Sequence, residues 1–355
     1  MKEKQLLDDQ QAAQTAFELA GFQEIDLEYE DALKNYKKAV FLDSENTSYL
    51  NGTGNLLRTL AEFVEAEPLL RRALDIDEKN LGPDHPNVGI SLNNLALLLQ
   101  DTALNHEAEP LLRRVLEIDE KSFGPDHPHI ATSLNNLAIV LQNTNRHHEA
   151  EPLLRRALNI DEKNLGTDHP DVGISLNNLA SSLILTNRHQ QAEPLLRRAL
   201  EISENKLGPT HSDVAVRLQN LAALLILTNR HQQAEPLLRR ALDIDEKIFG
   251  LDHPSVADTL NVLAAVQLKS NRHARAIALL ERALEIYEKT FGPDHYKVAI
   301  HLENLASILF LNNQYENAEH LFQRALDIFE KSFVQNHPSV IEIRRKLAAL
   351  RNHQK

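Results

Sequence analysis

The chain contains no cysteine, which excludes disulfide staples and thiolate zinc sites and fits a reducing compartment. It also lacks any excess of positive charge, since 38 Lys and Arg stand against 51 Asp and Glu for a formal net charge of −13. Binding a phosphate backbone needs a basic stripe, so nucleic acid is not an expected partner. No apolar run approaches the roughly 18 residues that span a bilayer, and Met1-Lys2-Glu3-Lys4-Gln5 lacks the apolar core of a secretory signal. These absences predict a cytoplasmic protein with no membrane partner. A Gly-rich phosphate loop, a nucleophile elbow and an H-E-x-x-H pair are missing too, so no enzyme activity, cofactor or metal is expected.

What the sequence has is repetition. Gly82-Pro83-Asp84-His85-Pro86, Leu92-Asn93-Asn94-Leu95-Ala96 and Ala108-Glu109-Pro110-Leu111-Leu112-Arg113-Arg114 belong to a unit 42 residues long. The histidine returns at His127, His169, His211, His253, His295 and His337, and the small residue at Ala138, Ala180, Ala222, Ala264, Ala306 and Ala348, with no insertion. A strict period of this length signals a stacked array and overrides the two or three globular domains that length alone suggests. A shorter spacing opens the chain, with Ala20, Ala32, Tyr36 and Ala39 returning 34 residues later as Gly54, Ala66, Leu70 and Ala73. Small residues at such points let two antiparallel helices approach closely. The reading is therefore a polar segment at 1–12, frayed or serving as a short cap, then eight helix pairs over 13–338. A capping helix and tail follow at 339–355, with Arg344 and Lys346 solvating the open end.

Within one unit the first helix is expected to start at Pro86 behind a cap at Asp84 or His85, with Leu92, Leu95, Ala96 and Leu99 as its buried stripe. Asn105 and its neighbours are read as the turn. The second helix turns Ala108, Leu112, Val115, Leu116 and Ile118 inward and Glu109, Arg113 and Glu117 outward, with Pro110 near its first turn and Gly124 as its stop. Seventeen histidines invite a metal reading. Those of the D-H-P loops occur once per unit, however, and packed helices stand roughly 8 to 10 Å apart, too far to share a zinc ion. Loop or capping roles are expected for them, and a solvated turn for His147-His148. The Arg-Arg pairs, flanked by Glu at helical spacing, read as a solvated face.

Two helices per unit with Leu and Ala at these offsets resemble the tetratricopeptide repeat. The 42-residue form with D-H-P and L-N-N-L-A is similar to the repeats of kinesin light chains and of many bacterial proteins, from about Ala13 onward. The resemblance implies an all-α fold, a right-handed superhelical solenoid of antiparallel helix pairs whose first helices line a concave groove for an extended or helical peptide. In kinesin light chains the second Asn of L-N-N-L-A reaches the ligand backbone; the matching positions are Asn94, Asn136, Asn178, Asn220 and Asn304, with Val262 interrupting the series. Helical spacing adds Asn93, Asn135 and Asn177, and the apolar Leu97, Ile139, Ile184 and Ile226, to this peptide-binding face. An amide offers donor and acceptor together and so suits a peptide main chain; the alternative is an Asn ladder that bridges helices within the stack.

The departures bear on the ligand. Where kinesin light chains carry Arg that helps hold acidic cargo, this chain has Asp77, Asp119, Asp161, Ser203, Asp245 and Tyr287. Where chaperone-binding relatives clamp a terminal carboxylate with Lys and Arg, it has Asn93 and Leu97 at the first such pair. The expected ligand is thus a protein or peptide segment, neutral or basic, with apolar anchors. Two other functions stand beside this scaffold reading: a sensing or regulatory arm of a larger effector complex built on a protease or nucleotide-dependent signalling enzyme, and a self-associating architectural array.

Overall fold

Helix ends cut this chain into rods, and their chemistry repeats with the period. Ahead of each long-period first helix a histidine in extended conformation accepts, through Nδ1, the backbone N–H two residues on. His85 takes it from Asn87 at 3.1 Å, His253 from Ser255 at 3.1 Å and His337 from Ser339 at 3.2 Å. The cap is therefore His85 rather than Asp84, and the proline that follows has no N–H to leave unpaired. Six second helices stop at a glycine of positive φ, such as Gly124 at φ 87°, whereas the first and last stop at Asp43 and Phe333.

The computed structural model describes residues 2–353; Met1 of the polar amino-terminal segment, and Gln354 and Lys355 of the carboxyl-terminal tail, lie outside the described residues. The chain divides into two units, Met1–Thr144 and Asn145–Lys355. The first holds α1 Lys2–Ile25, α2 Tyr29–Leu42, α3 Thr47–Thr59, α4 Phe63–Leu81, α5 Pro86–Asp101, α6 Asn105–Phe123 and α7 Pro128–Asn143. The second holds α8 His147–Leu165, α9 Pro170–Leu185, α10 His189–Leu207, α11 Ser212–Leu227 and α12 His231–Phe249. It continues with α13 Pro254–Lys269, α14 His273–Phe291, α15 Tyr296–Leu311, α16 Tyr315–Ser332 and α17 Pro338–His353. No strand occurs among the described residues.

Within each unit, consecutive helices pack as hairpins (α1 with α2, α9 with α10, and so on), and each second helix packs in turn on the following first helix. The alanine columns are fully buried at these contacts, except that Ala348 of α17 is exposed. At Gly54, which takes the alanine place, even a methyl group would come within 2.6 Å of Leu70. The leucines between the columns, each worth roughly 1.5 to 3 kcal/mol when buried, fill the remaining space.

Three local readings change. The turn before α6 is Thr102 to Leu104, with Ala103 left-handed at φ 59°, and Asn105 already belongs to the helix. Pro110 is the sixth residue of α6, beyond its first turn. His147 opens α8, leaving only His148 largely exposed. The Arg-Arg pairs do more than face solvent. The first Arg bonds to the Glu four residues before it, as Arg197 to Glu193 at 2.7 Å. The second reaches the preceding second helix, as Arg198 to Glu162 at 2.6 Å, and also donates to the carbonyl of Thr167 in the loop.

Candidate ligand-binding face

Positions equivalent to 90, 94, 97 and 101 recur every three or four residues and so share one face of a first helix. In the first unit that face exposes Ile90 of α5 and Ile139 of α7. In the second unit it exposes Ile174 and Leu185 of α9, Val216 and Leu227 of α11, and Ile300 and Leu311 of α15, all between 40 and 63% accessible. Side chains this apolar, left uncovered on the same face of five first helices and interrupted at α13, where Asp258 and Lys269 stand, form the main unpartnered feature of these helices.

The residues expected to bind peptide lie on or beside this face. Ile139 and Asn304 are exposed; Asn93, Asn94, Leu97, Asn135, Asn136, Asn178, Ile184, Asn220 and Ile226 are half-buried; Asn177 is buried. Four further exposed apolar groups, Ile90, Ile174, Val216 and Ile300, escaped the sequence reading. Their signal was a β-branched residue four positions before the amide column, outside the L-N-N-L-A motif.

The amides also serve the stack. Asn136 donates to Asn93 of the preceding first helix at 2.8 Å, Asn220 donates weakly to Asn177 at 3.4 Å, and Asn177 donates to the carbonyl of Gly173 at 3.1 Å. A primary amide has two N–H groups and two lone pairs, so this bridging uses only part of what Asn136 offers.

Beneath the face runs a row of carboxylates. Ser91 donates to Asp77 at 2.6 Å, Ser133 to Asp119 at 2.5 Å, Ser175 to Asp161 at 2.6 Å and Thr259 to Asp245 at 2.6 Å, each across fourteen residues from a second helix to the next first helix. Asp77, Asp161 and Asp245 are buried. These carboxylates, expected to confront a ligand, instead form hydrogen-bonded floor. Burial pushes Asp119 and Asp161 above the usual carboxylate range against the pull of their serines. Asp245, with Asp258 nearby, is pushed up to about 6.

In the first unit the face and floor meet in a recess of about 350 Å³, lined by Ile90 and Asn93 of α5, Asp119 and Phe123 of α6, and Thr132 and Asn136 of α7 among others. In the second unit the paired column changes character. Tyr287 occupies the aspartate place and His301 the serine place, with ring centroids 4.0 Å apart. The Tyr287 hydroxyl donates to Asp258 at 2.6 Å, while His301 Nδ1 lies 2.6 Å from the amide of Asn261. Burial, with Lys297 adding to it, pushes His301 down to about 4. At Ser203 and Arg217 the same column holds a hydroxyl and a guanidinium.

The tetratricopeptide repeat profile matches overlapping windows from 44–121 through to 297–355, which cover most of the chain. The chain belongs to the tetratricopeptide repeat family. Among solved structures it is similar to the nearly identical TPR-like repeats assigned to a kinesin light chain of Podosopora anserina and to a substituted variant of the same repeats. Both are 28% identical over 58% of this chain, covering 98% and 97% of those chains with TM-scores of 0.48 and 0.49. It is similar also to BtubC (BKLC) from P. vanneervenii, 22% identical over 66% of this chain and 91% of that one, with a TM-score of 0.49. Among curated proteins none matches. No helix among the described residues is long and apolar enough to cross a membrane, and no group of three or more His, Asp or Glu is placed there to hold a metal ion.

Proposed function

We propose that the chain is a non-catalytic scaffold that binds a protein or peptide segment along the exposed face of its first helices. The observation that carries this reading is the repeated exposure of Ile90, Ile174, Val216 and Ile300 beside amides that retain hydrogen-bonding capacity. In the second unit apolar side chains of a ligand would anchor on Ile174, Val216 and Ile300 while its main chain meets the amides of Asn178 and Asn304; in the first unit Ile90 with Asn94 and Asn136 offers the same chemistry. With a net charge of −13 on the scaffold, a segment of neutral or basic net charge encounters it faster and without like-charge cost.

Selection of random nonapeptides displayed against the full chain tests the proposal. Recovered binders should be apolar-anchored and not strongly acidic, and should lose at least about tenfold in affinity against a chain carrying Ile174→Asp and Val216→Asp. Both positions are exposed, so folding should be retained. Binders that tolerate both changes would refute the assignment of this face.

A further inference from the structure

One interface in the second unit inverts the chemistry of the floor. At four interfaces the second helix supplies an aspartate and the next first helix a serine or threonine, as at Asp161 with Ser175 and Asp245 with Thr259. Between α10 and α11 the aspartate place is Ser203, fully buried, and the serine place is Arg217, only 7% exposed. Among the described residues neither the Ser203 hydroxyl nor the Arg217 Nε has a hydrogen-bond partner. Asp213, one turn earlier on α11, acts on the guanidinium through space but makes no ion pair with it among the described residues.

A buried, unpaired guanidinium is costly unless something completes it, and its planar fork matches a carboxylate bidentately. One neighbouring helix comes up to the guanidinium without a side chain of its own. Gly173 of α9 carries no side chain where a Cβ would stand 3.8 Å from Arg217 Nε and 3.6 Å from the Ala199 carbonyl. The exposed Ile174 and Val216 adjoin Gly173 and Arg217 in sequence on α9 and α11. We propose that this interface is a carboxylate-binding subsite, in which Arg217 and Ser203 receive a single acidic side chain of a bound segment that is otherwise apolar and neutral or basic. The inference rests on the first-helix face being the ligand site. It adds that the ligand supplies, at this interface, the carboxylate that the repeat itself supplies at those four.

The probe is an acetylated, amidated nonapeptide of alternating leucine and serine with glutamate at its centre and a lysine at each end. Its partners are the same peptide with glutamine at the centre, the glutamine peptide with a free terminal carboxylate, and sodium acetate. Affinity to the full chain is measured by calorimetry, and the Arg217 Nε–Hε signal by NMR on arginine-labelled protein. The control chain carries Ser203→Asp with Arg217→Ser, which installs the pair already present at Asp161 and Ser175 and so should fold. Wild type should prefer the glutamate peptide over the glutamine peptide by at least about tenfold, the Arg217 signal should move with it, and the double variant should bind the two peptides within about twofold. A preference for the free-terminus peptide over the glutamate peptide would overturn the side-chain assignment in favour of a chain end. Equal binding of the glutamate and glutamine peptides to wild type would overturn the subsite while leaving the first-helix face intact. Saturable movement of the Arg217 signal with acetate, and no binding of any peptide, would uphold a carboxylate pocket and overturn the peptide reading on which the proposal rests. No response to any probe would overturn both.

Discussion

Single residues in the floor carry opposed acid responses. Asp245 holds its proton up to about pH 6, against 3.8 ordinarily, so the folded state binds more protons than the unfolded state between those values. Its ionisation therefore costs stability above pH 6, and the cost fades as pH falls toward 3.8. His301 is the reverse: lowered from 6.5 to about 4, it contributes stability that is complete above pH 6.5 and is lost as pH falls toward 4. Asp245→Asn keeps an acceptor for Thr259 and removes the charge, so it should stabilise the protein at pH 7.5 by on the order of 1 to 2 kcal/mol, with the gain vanishing near pH 4. Urea midpoints at the two pH values decide this; a difference independent of pH would contradict it. The sequence held a trace of this floor, because residues fourteen apart vary together from repeat to repeat: Asp with Ser or Thr, Ser203 with Arg217, Tyr287 with His301. Read one position at a time, the aspartates looked like charge offered to a ligand, since burial depends on the neighbouring repeat and not on the residue.

At the scale of the helix the chain punctuates itself unevenly. Hairpin turns close through a left-handed residue, where the N–H of Arg188 returns to the carbonyl of Leu183 at 2.8 Å and that of Asn187 to Ile184 at 2.9 Å. Asparagine holds this position at Asn187, Asn229, Asn271 and Asn313, but alanine holds it at Ala61 and Ala103. A Cβ without a compensating side-chain hydrogen bond costs about 1 kcal/mol there. Ala103→Gly should accordingly raise stability by roughly 0.5 to 1 kcal/mol, seen as a higher urea midpoint at unchanged slope; an equal or lower midpoint would show that the turn is not strained. Helix starts, stops and buried stripes were legible because proline, glycine and the leucine spacing act locally. The exact turn at Thr102 to Leu104 was not, since Ala103 and Leu104 carry no turn signature of their own.

For the whole molecule, a repeat array draws its stability from nearest-neighbour contacts, so its ends matter more than their length suggests. α17 buries Val340, Ile343, Leu347 and Leu350 against the last helix pair, and Lys346 and Arg344 pair with Glu303 and Glu330 at 2.6 Å instead of standing free in water. Deleting 338–355 should uncover Phe322, Leu326 and Phe329, lower the urea midpoint and increase light scattering; a truncated chain as stable and as soluble as the parent would refute the capping role. The measurement that tests the central claim most directly is methyl NMR on isoleucine-labelled full chain titrated with a peptide recovered by display. Ile90, Ile139, Ile174 and Ile300 report on the first-helix face, and the exposed Ile248 of α12 reports on a second-helix surface. The account predicts saturable shifts at the first-helix isoleucines with Ile248 unmoved; shifts centred on Ile248 with the first-helix methyls silent would contradict it.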